Sequence, residues 1–383
     1  MRLGLLPALG GGIRELAQSG QVARLIDGYF RRYVEAFDEI TYFSYLDESI
    51  DEYTQDATIR ARVRVISPAS SVSRGDWARR MVKEAGEALR RCDVLRAFQI
   101  TGITPLRWSA FWGRRLDVPF VTTYGFSYAT LSGSGWRRLL KGRVERWALR
   151  HAAAVIATTE ALRDQVRAVA PRARVELIPN GVDTARFVPR RGRRPEGPFR
   201  MLYVGRLSAE KNVKAAIEAT AGLGASGRGA GAVTLTVVGA GPLGDVLHDQ
   251  AQSLGVVGRV DFLGVIDQRA LPQTYAEADA FVLPSFTEGH PKALIEAMAC
   301  GLPCIVSNRG GNLSLVQDGV TGLHFDPDRP GELAERLRRV RDDRALAARL
   351  GNAARAEAVA RYDLGALVDR EIALLRDVAR DRR

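Results

Sequence analysis

Short apolar segments typical of β-strands alternate along this chain with longer amphipathic segments typical of helices. The helical pattern is clear in Asp76–Leu89, where apolar residues recur every three or four positions. Such alternation is typical of parallel sheets covered by helices on both faces, and it predicts an α/β protein. The predicted strands are Arg2–Leu6, Glu39–Phe43, Arg62–Ile66, Val94–Phe98, Pro119–Thr123, Ala153–Ala157, Arg174–Ile178, Arg200–Val204, Thr234–Gly239, Arg259–Leu263, Ala280–Leu283, Cys304–Val306 and Gly322–Phe325.

One segment divides the chain into halves of similar pattern. A length of 383 residues suits about two domains at ~100–200 residues each. Phe187–Pro198 contains three prolines, two glycines and four arginines, which disfavour a core element and indicate a linker. We therefore predict an N-terminal domain over 1–186, a linker over 187–198 and a C-terminal domain over 199–363. Ligands of such sheets bind outside the carboxyl ends of the strands.

The net charge of +12 is concentrated in the N-terminal half. Residues 1–190 hold 30 of the 56 Lys and Arg residues but only 20 of the 44 Asp and Glu residues. A basic half of this kind suits nucleic acid, an anionic membrane surface or an acidic substrate, and it equally suits a solvated Arg-rich surface.

Cysteine is sparse and odd in number, which indicates a reducing compartment rather than a disulfide framework. The three residues are Cys92, Cys300 and Cys304. Cys300 and Cys304 lack a second Cys or His pair that would complete a tetrahedral zinc site, so ordinary packing is the interpretation. We predict a cytoplasmic protein.

The loop after one predicted strand carries two cations where an anion would bind favourably. The strand ends at Gly205, and Ser208 is a candidate cap for a helix that continues through Ile217. Arg206 and Lys211 would flank the N-terminus of this helix, where the helix dipole disfavours cations unless an anion binds between them. This pattern indicates a diphosphate site, with two solvated side chains as the alternative.

The segment Leu283–Gly301 contains two carboxylates beside a helix that is apolar almost all round. Glu288 precedes this helix and Glu296 lies inside it. A buried carboxylate is costly unless it is hydrogen-bonded, and vicinal sugar hydroxyls would supply the donors. An internal salt bridge to Arg or Lys is the alternative. The backbone amides of Gly289 and His290 are candidates to hold a sugar group.

Several motifs follow one another in an order that resembles the retaining glycosyltransferases of family 4. The motifs are Leu177–Asp183 with Phe187, Val204–Lys211, Val238–Pro242, Phe262–Gly264, Glu288 and Glu296 at an E-x7-E spacing, Ala297–Pro303, and Gly310-Gly311 followed by Asp318–Gly322. The resemblance implies the α/β GT-B fold, in which two Rossmann-like parallel-sheet domains face each other across a cleft. It also implies that a last helix, 364–383, returns to the N-terminal domain.

The resemblance assigns roles to residues of these motifs. It implies that Arg206 and Lys211 hold the donor diphosphate and stabilise the leaving group, and that Glu288 contacts the transferred sugar. These three are the predicted catalytic residues, and Glu296 would bind the ribose hydroxyls. The whole predicted donor-binding set is Gly11, Gly12, Gly205, Arg206, Lys211, Val265, Glu288, Gly289, His290, Pro291, Leu294 and Glu296.

Three members of that set are expected to make particular contacts. Gly11 and Gly12 form the first glycine turn, which would approach the phosphates or the acceptor closely, and Val265 would lie by the nucleobase. Because fixed cations would meet the charge of the leaving group, we expect neither a metal ion nor a cofactor besides the substrate. Asp326-Pro-Asp328 resembles a metal-binding pair of aspartates, but we predict that it forms a turn after a strand.

Two positions depart from the family pattern. Many members carry a His near the position of Tyr124, which we therefore take as the candidate donor-sugar contact. The family motif Gly-Gly-x-x-Glu appears here as Gly310-Gly-Asn-Leu-Ser314, so a carboxylate is missing near the nucleotide, and Asn312 is the candidate to compensate.

The segment 136–150 raises the question of a membrane partner. Trp136, Leu139, Leu140, Val144 and Trp147 share one side, and six Arg or Lys residues populate the rest. This composition suits a peripheral helix on the anionic inner face of the cell membrane. The alternative is that the apolar stripe packs on its own sheet and the cations are solvated.

These observations together predict a retaining, metal-independent glycosyltransferase. It would move a hexosyl or N-acetylhexosaminyl unit from a nucleotide-diphosphate sugar, with UDP as the expected carrier, to a glycan, polysaccharide or lipid-linked acceptor. The alternatives are a nucleotide-sugar-binding relative without transferase activity and a nucleotide-sugar epimerase. A nucleic-acid-binding protein would explain the charge but not Glu288 and Glu296, so no nucleic acid partner is expected.

Overall fold

Buried runs of Val, Ile and Leu form two parallel sheets, one in each of two units of the chain. The computed structural model describes residues 1–111, 116–125, 136–190, 192, 197–224, 231–329 and 331–381, and for residues 136–141 the backbone. The first unit comprises Met1–Pro179 and Gly365–Arg383, and the second comprises Asn180–Leu364.

The first unit is built on a seven-stranded parallel sheet within the described residues. Its strand order is β3-β2-β1-β4-β5-β6-β7, in which every neighbouring pair is parallel. The strands are β1 Arg2–Leu6, β2 Glu39–Phe43, β3 Val63–Ile66, β4 Val94–Ala97, β5 Phe120–Tyr124, β6 Ala154–Ala157 and β7 Val175–Leu177. Because all the strands are parallel, their carboxyl ends share one edge.

Helices cover this sheet, and one of them differs from the sequence prediction. They are α1 Ile13–Gln18, α2 Arg31–Ala36, α3 Ala57–Arg62, α4 Arg74–Glu84, α5 Gly86–Arg91, α6 Thr104–Phe111, α7 Trp136–His151 and α8 Glu160–Val169. A π-helical segment, Arg24–Phe30, precedes α2. The single helix predicted over Asp76–Leu89 is two helices, because Ala85 leaves helical geometry immediately before Gly86, a residue of low helix propensity.

The second unit repeats the scheme with a six-stranded parallel sheet in the described part of the chain. Its strand order is β10-β9-β8-β11-β12-β13. The strands are β8 Phe199–Val204, β9 Val233–Val238, β10 Val260–Gly264, β11 Ala280–Leu283, β12 Cys304–Ser307 and β13 Leu323–Phe325. β8 and β11 are neighbours, so the loops that follow them begin side by side at the carboxyl edge.

Seven further helices of the described chain pack against the second sheet. They are α9 Val213–Gly222, α10 Gly244–Ser253, α11 Leu271–Glu277, α12 Lys292–Ala299, α13 Asn312–Leu315, α14 Glu332–Asp342 and α15 Arg344–Arg361. α12 is buried along most of its length, as its apolar sequence predicts.

The last helix, α16 Leu364–Arg380, belongs to the first unit. A buried ion pair holds it there: the guanidinium of Arg96 on β4 donates to both carboxylate oxygens of Glu371, at 2.7 and 3.0 Å. Arg96 also donates to Thr123, at 2.8 Å, and Tyr33 donates to Glu371. Arg96 and Glu371 are 3% and 4% exposed, so the position of α16 is fixed by charged groups as well as by apolar packing.

The boundary between the units differs from the predicted linker. The chain passes into the second unit after Pro179, ahead of the segment 187–198. The amide of Val182 donates to Tyr362, at 2.8 Å, and the amide of Leu364 donates back to Val182, at 2.8 Å. Phe187 is 1% exposed in the core of the second unit. The predicted linker therefore starts inside the second unit, because its first residue, Phe187, belongs to the core of that unit.

Candidate active site

The loop after β8 contains the two predicted phosphate-binding cations. Arg206 is exposed, and its carbonyl accepts a hydrogen bond from the hydroxyl of Tyr203, at 2.9 Å. Lys211 ends a short 3-10 turn, Ala209–Lys211, and Asn212 adopts a left-handed conformation with φ of 50° before α9 begins. The helix therefore begins after Lys211, not at Ser208 as predicted.

Ser208 has a different partner from the one expected. Its hydroxyl donates to the carboxylate of Glu210, at 2.6 Å, and does not cap a backbone amide. This hydrogen bond is the main reason that the pKa of Glu210 lies below its usual range. A carboxylate that stays ionised in this loop partly balances the two cations.

Lys211 and Glu288 come together from neighbouring strand ends. The Nζ of Lys211 lies 2.8 Å from Oε1 of Glu288, and the hydroxyl of Ser285 donates to the same oxygen, at 2.7 Å. The side chain of Glu288 is 8% exposed and that of Lys211 is 22% exposed. The amide of Phe286 donates to the carbonyl of Glu210, at 2.8 Å, which joins the two loops through their backbones. A cation and a carboxylate thus share one partly desolvated site.

Two pairs of glycines set the position of these loops. A Cβ on Gly239 would overlap the carbonyl oxygen of Gly205, and a Cβ on Gly311 would overlap the carbonyl oxygen of Gly289. The amide of Gly311 also donates to the carbonyl of Glu288, at 2.8 Å. A Cβ on the neighbouring Gly241 or Gly310 would also overlap backbone atoms of the same two loops. The glycines of these motifs therefore serve backbone-to-backbone packing around the site.

The loop that follows Glu288 is fixed from a second direction. Asn180 donates through Nδ2 to the carbonyl of His290, at 2.8 Å, and the ring of His290 packs against Tyr362 with centroids 5.7 Å apart. Gly289 is exposed, whereas His290 and Pro291 are buried. Asn180 lies in one of the motifs, but its contact with this loop could not be inferred from the sequence.

Leu294 enters the site only through its backbone. Its side chain is fully buried in the core of the second unit, so it presents no surface to a ligand. Its amide lies in the first turn of α12, where amides lack an acceptor within the helix. The predicted role of Leu294 is therefore restricted to that amide.

Glu296 is buried at 4% exposure and receives hydrogen bonds from two neutral side chains. Gln268 donates through Nε2, at 3.0 Å, and Tyr275 through its hydroxyl, at 2.9 Å. Burial and the negative charge of Glu296 raise the pKa of Tyr275 well above its usual value, so this hydroxyl remains a donor. The ring of Tyr275 packs edge-on against Phe187, with centroids 5.7 Å apart. Sequence reasoning named neither Gln268 nor Tyr275, because both lie outside the motifs.

Val265 follows β10 and is 48% exposed. The carbonyl of Gly264 before it accepts from the amide of Gly239, at 2.7 Å. Val265 therefore lies next to the glycine loop that packs on Gly205, with an apolar surface available to a ligand.

The glycine turn of the first unit is already engaged by a carboxylate. The amides of Ile13 and Arg14, just after the turn, both donate to Glu48, at 2.8 Å. Gly11 and Gly12 are buried, and a Cβ on Gly12 would overlap Glu48 and Ser44. The close approach predicted for this turn is made to Glu48, whose negative charge disfavours a phosphate at the same amides.

Tyr124 does not fit the expected contact with the donor sugar. It is 2% exposed in the core of the first unit, and its hydroxyl donates to Glu145 on α7, at 2.9 Å. Asn312 is likewise internal: its Nδ2 donates to the hydroxyl of Ser307, at 3.0 Å, and its side chain has no exposed surface. Tyr124 therefore does not replace the family His, and Asn312 does not replace the missing family carboxylate.

The candidate metal ligands have other partners. Arg309 donates to Asp326, at 2.8 Å, and to Asp328, at 2.7 Å. Cys300 and Cys304 are buried, and desolvation raises the pKa of the Cys300 thiol to about 12. No group of three or more Cys, His, Asp or Glu side chains suited to a metal ion occurs in the described residues.

The described part of the basic helix packs on its own unit. Val144 and Trp147 on α7 lie against the core of the first unit, and the ring of Trp147 stacks on Phe120 with centroids 6.1 Å apart. The side chains of residues 136–141, which include Trp136, Leu139 and Leu140, lie outside the described residues. Among the helices of the described chain, none has the length and apolarity required to cross a membrane.

Solved structures share this fold over nearly the whole chain. Anabaena HepE, solved in complex with UDP and glucose, has a TM-score of 0.75 at 22% identity, covering 98% of this chain and 100% of that chain. Sucrose-phosphate synthase from Thermosynechococcus elongatus has a TM-score of 0.75 at 22% identity, covering 99% of each chain. The predicted GT-B fold, with two parallel-sheet Rossmann-like domains, is confirmed.

Two family models match consecutive parts of the sequence. Residues 22–186 match the model described as Glycosyltransferase Family 4, and residues 186–357 match the model described as Glycosyl transferases group 1. The two matches adjoin and together cover most of the chain. The chain therefore belongs to the group 1, family 4 glycosyltransferases, as its motifs predicted.

Curated relatives resemble part of the chain at higher identity. Glycogen synthase of Mycobacterium tuberculosis is 37% identical over 256 residues, which are 64% of this chain and 60% of that protein. Alpha-D-kanosaminyltransferase of Streptomyces kanamyceticus is 31% identical over 245 residues, which are 61% of this chain and 63% of that protein. The matches therefore span less than two thirds of the length of these relatives.

Proposed function

We propose that this protein transfers a hexosyl or N-acetylhexosaminyl unit from a nucleoside diphosphate to a hydroxyl of a glycan, polysaccharide or glycolipid acceptor. The reaction proceeds with retention at the sugar carbon and without a metal ion. The observation that carries the proposal is the contact between Lys211 and Glu288 at two adjacent strand ends. This contact joins a group suited to phosphate to a group suited to sugar hydroxyls.

Each group of the second unit has a chemical task in this proposal. Lys211 and Arg206 bind the diphosphate and offset its growing charge as the sugar departs. Glu288 orients Lys211 before the donor binds and then accepts hydrogen bonds from the transferred sugar. Glu296 binds the ribose hydroxyls from its buried position, where Gln268 and Tyr275 fix its orientation.

The proposed chemistry needs no protein nucleophile. The bond between the anomeric carbon and the diphosphate oxygen breaks, and a bond from the acceptor oxygen to the same carbon forms on the same face. The acceptor proton passes to a phosphate oxygen, and the nucleoside diphosphate leaves. Arg206 and Lys211 supply the positive charge that another transferase would take from a metal ion.

The relatives support a UDP-sugar as the donor. Structures of Anabaena HepE contain UDP alone, UDP with glucose, or UDP-glucose. The curated relatives include a glycogen synthase, an alpha-D-kanosaminyltransferase and a 2-deoxystreptamine glucosyltransferase, all named for hexose-type substrates or products. Val265, exposed beside the glycine loop, offers an apolar surface for the base.

Binding of a nucleotide sugar without transfer is the second candidate. The burial of Tyr124 favours this second candidate. Many family members have a His near this position, and the buried Tyr124 offers no surface to a sugar in its place. A transfer assay separates the two candidates, since both predict donor binding and only one predicts release of UDP that requires an acceptor.

The test is a thermal-shift screen of the full chain with UDP, GDP, ADP and their sugars. A ligand that binds the folded state raises the melting temperature. Lys211→Ala removes a charged hydrogen bond and is expected to weaken binding of the best ligand by roughly 10- to 100-fold. Lys214→Ala is the matched control, because Lys214 is exposed on α9 outside the loop.

Two kinds of result would contradict the proposal, one at the donor site and one in the mechanism. Equal shifts for Lys211→Ala and the wild type would refute the phosphate role and, with it, the proposed donor site. For the ligand that binds, release of UDP is then measured with glycan acceptors in the presence of EDTA, and the product anomer is read by NMR. Activity abolished by EDTA, or an inverted product, would contradict the metal-independent retaining mechanism.

A further inference from the structure

The first unit contains a cavity that the proposed donor site does not use. Its volume is about 570 Å³, and it lies between the edge strand β7 and the last helix α16. This volume falls in the range of sites for small organic molecules, ~300–1,000 Å³. The charged side chains of its lining are Arg174, Glu176, Arg370, Arg376, Asp377 and Arg380.

One arginine of the cavity is balanced by acidic neighbours. Arg174 lies 2.6 Å from Asp377 and 3.7 Å from Glu176. These contacts bridge β7 to α16, and they leave carboxylate oxygens at the cavity wall that can accept further hydrogen bonds.

Two other arginines donate to backbone carbonyls, and one of them, Arg376, also lies near the carboxylate of Asp38. Arg370 donates to the carbonyl of Leu177, at 2.8 Å, and Arg376 donates to the carbonyl of Ala36, at 2.7 Å. A carbonyl satisfies a hydrogen bond without neutralising a guanidinium, so the positive potential of Arg370 remains. Arg380, one turn beyond Arg376, is exposed on the same wall.

The base of the cavity is apolar. Ile178 and Leu374 line it at 6% and 5% exposure, and Ala373 lines it as an exposed, small residue. A surface of this kind suits the C–H face of a sugar ring. The lining therefore combines cations, hydroxyl acceptors and an apolar base.

We propose that this cavity binds a phosphorylated sugar. Arg380 binds the phosphate, because a guanidinium group matches the oxygens of a phosphate monoester. Arg370 lies ten residues earlier on α16, about 15 Å away along the helix axis, and donates to the opposite end of the sugar. Glu176 and Asp377 accept hydrogen bonds from the sugar hydroxyls, and the ring lies over the apolar base. The two carboxylates disfavour a simple polyanion, which would have phosphate oxygens where the hydroxyls are needed.

Such a ligand would join the two places where the chain enters and leaves the first unit. The chain departs after Pro179, just beyond β7, and returns at Gly365, at the start of α16. The hydrogen bond from Arg370 to Leu177 already joins these segments. A bound sugar phosphate adds contacts to both, so it stabilises the docking of α16 on the edge of the sheet.

The experiment is thermal denaturation of the full chain at constant ionic strength with glucose 6-phosphate, glucose 1-phosphate, inorganic phosphate or glucose. At least one sugar phosphate is expected to raise the melting temperature by at least about 2 °C at saturation. Inorganic phosphate should give a smaller rise and glucose none, because each offers only part of the complementary chemistry. Lys211→Ala should keep the shift, because Lys211 belongs to the other unit.

Three variants locate the site. The double variant Arg370→Gln/Arg380→Gln removes the guanidinium groups at both ends of the cavity, and Ala373→Glu places a negative charge on the cavity wall without deleting a contact. Each is expected to weaken sugar phosphate binding at least tenfold. Arg79→Gln is the control, since Arg79 is an exposed arginine of the first unit on α4, outside the cavity.

Four outcomes would overturn the proposal: no shift of the wild type with either sugar phosphate, an undiminished shift in the cavity variants, an equal loss in Arg79→Gln, and loss of the shift in Lys211→Ala. Flotation with phosphatidic acid vesicles provides a further arm. Vesicle binding that the cavity variants abolish, with no response to sugar phosphates, would assign the cavity to a lipid phosphate instead.

Discussion

A single buried carboxylate shows how much the candidate site depends on neutral hydrogen-bond donors. Glu296 is enclosed in α12, and two of its partners, Gln268 and Tyr275, are neutral donors. These two donors meet part of the cost of burying the carboxylate.

This arrangement gives a prediction for Tyr275→Phe. The change removes the hydroxyl that donates to Glu296, at 2.9 Å, and to the carbonyl of Ala293, at 3.1 Å. We expect the free energy of unfolding to fall by about 1.5–3 kcal/mol, because a buried ionised acceptor loses a donor. Affinity for the nucleotide sugar should fall about tenfold. Urea unfolding and titration calorimetry measure the two effects.

Tyr45→Phe is the matched control. In the described residues the Tyr45 hydroxyl is buried without a hydrogen-bond partner, so its removal should change the free energy of unfolding by less than about 0.5 kcal/mol or increase it. Equal losses in the two variants would mean that the bond to Glu296 contributes nothing specific.

The elements of the fold were far easier to predict than the contacts between their loops. Each predicted strand agrees with an observed strand to within one residue at either end, because buried runs rich in Val, Ile and Leu have few alternatives in an α/β chain. The predicted start of α9 was wrong, because the hydroxyl of Ser208 donates to the side chain of Glu210 and does not cap a backbone amide. Local sequence does not distinguish those two partners for a serine hydroxyl.

Loop packing was the part of the site that the sequence could not supply. The motif Gly310-Gly311 was recognisable, but its physical role depends on backbone atoms of Glu288 and Gly289, about twenty residues earlier in the chain. The same applies to Gly239 and the loop after β8. A glycine motif indicates a close approach without naming the partner.

We therefore predict that Gly311→Ala displaces the loop that follows Glu288. The added Cβ would overlap the carbonyl oxygen of Gly289, and the backbone must move to relieve the contact. Overpacking of this kind should lower the free energy of unfolding by about 1–3 kcal/mol. The thermal shift caused by a nucleotide sugar should be lost, because Glu288 and the amides after it move together.

Gly244→Ala controls for the general effect of replacing a glycine. Gly244 begins α10, and a Cβ there would have no atom within 4 Å. Alanine should leave stability unchanged or raise it by up to about 1 kcal/mol, because it favours the helix. Nucleotide-sugar binding by Gly311→Ala at the wild-type level would show that this glycine contact does not position the loop.

At the scale of the whole chain, the first unit depends on a helix that comes last in the sequence. Burial alone would lower the pKa of Arg96, but the charge of Glu371 outweighs that effect and the pKa is raised. Arg96 therefore stays charged in the core and depends on Glu371 for compensation. Exposed pairs on the same helix, such as Arg32 with Asp369 at 2.7 Å, have water as an alternative partner.

Arg96→Met should lower the free energy of unfolding by about 3–5 kcal/mol, because it leaves Glu371 buried without a cation. The double variant Arg96→Met/Glu371→Leu should recover most of that loss, since no buried charge remains. Arg32→Met removes an exposed partner of α16 and should cost less than about 1 kcal/mol. Chemical denaturation of the three proteins checks the order, and an unrecovered double variant would contradict the charge explanation.

The late position of α16 also bears on how the protein is made. The ribosome delivers Arg96 long before Glu371, and the entire second unit is synthesised between them. Until the final helix arrives, the nascent first unit holds a guanidinium without its counter-charge. A fragment that ends at Pro179 would retain that defect permanently, whereas a circular permutant that joins α16 directly ahead of β1 would let the first unit mature before the second is translated.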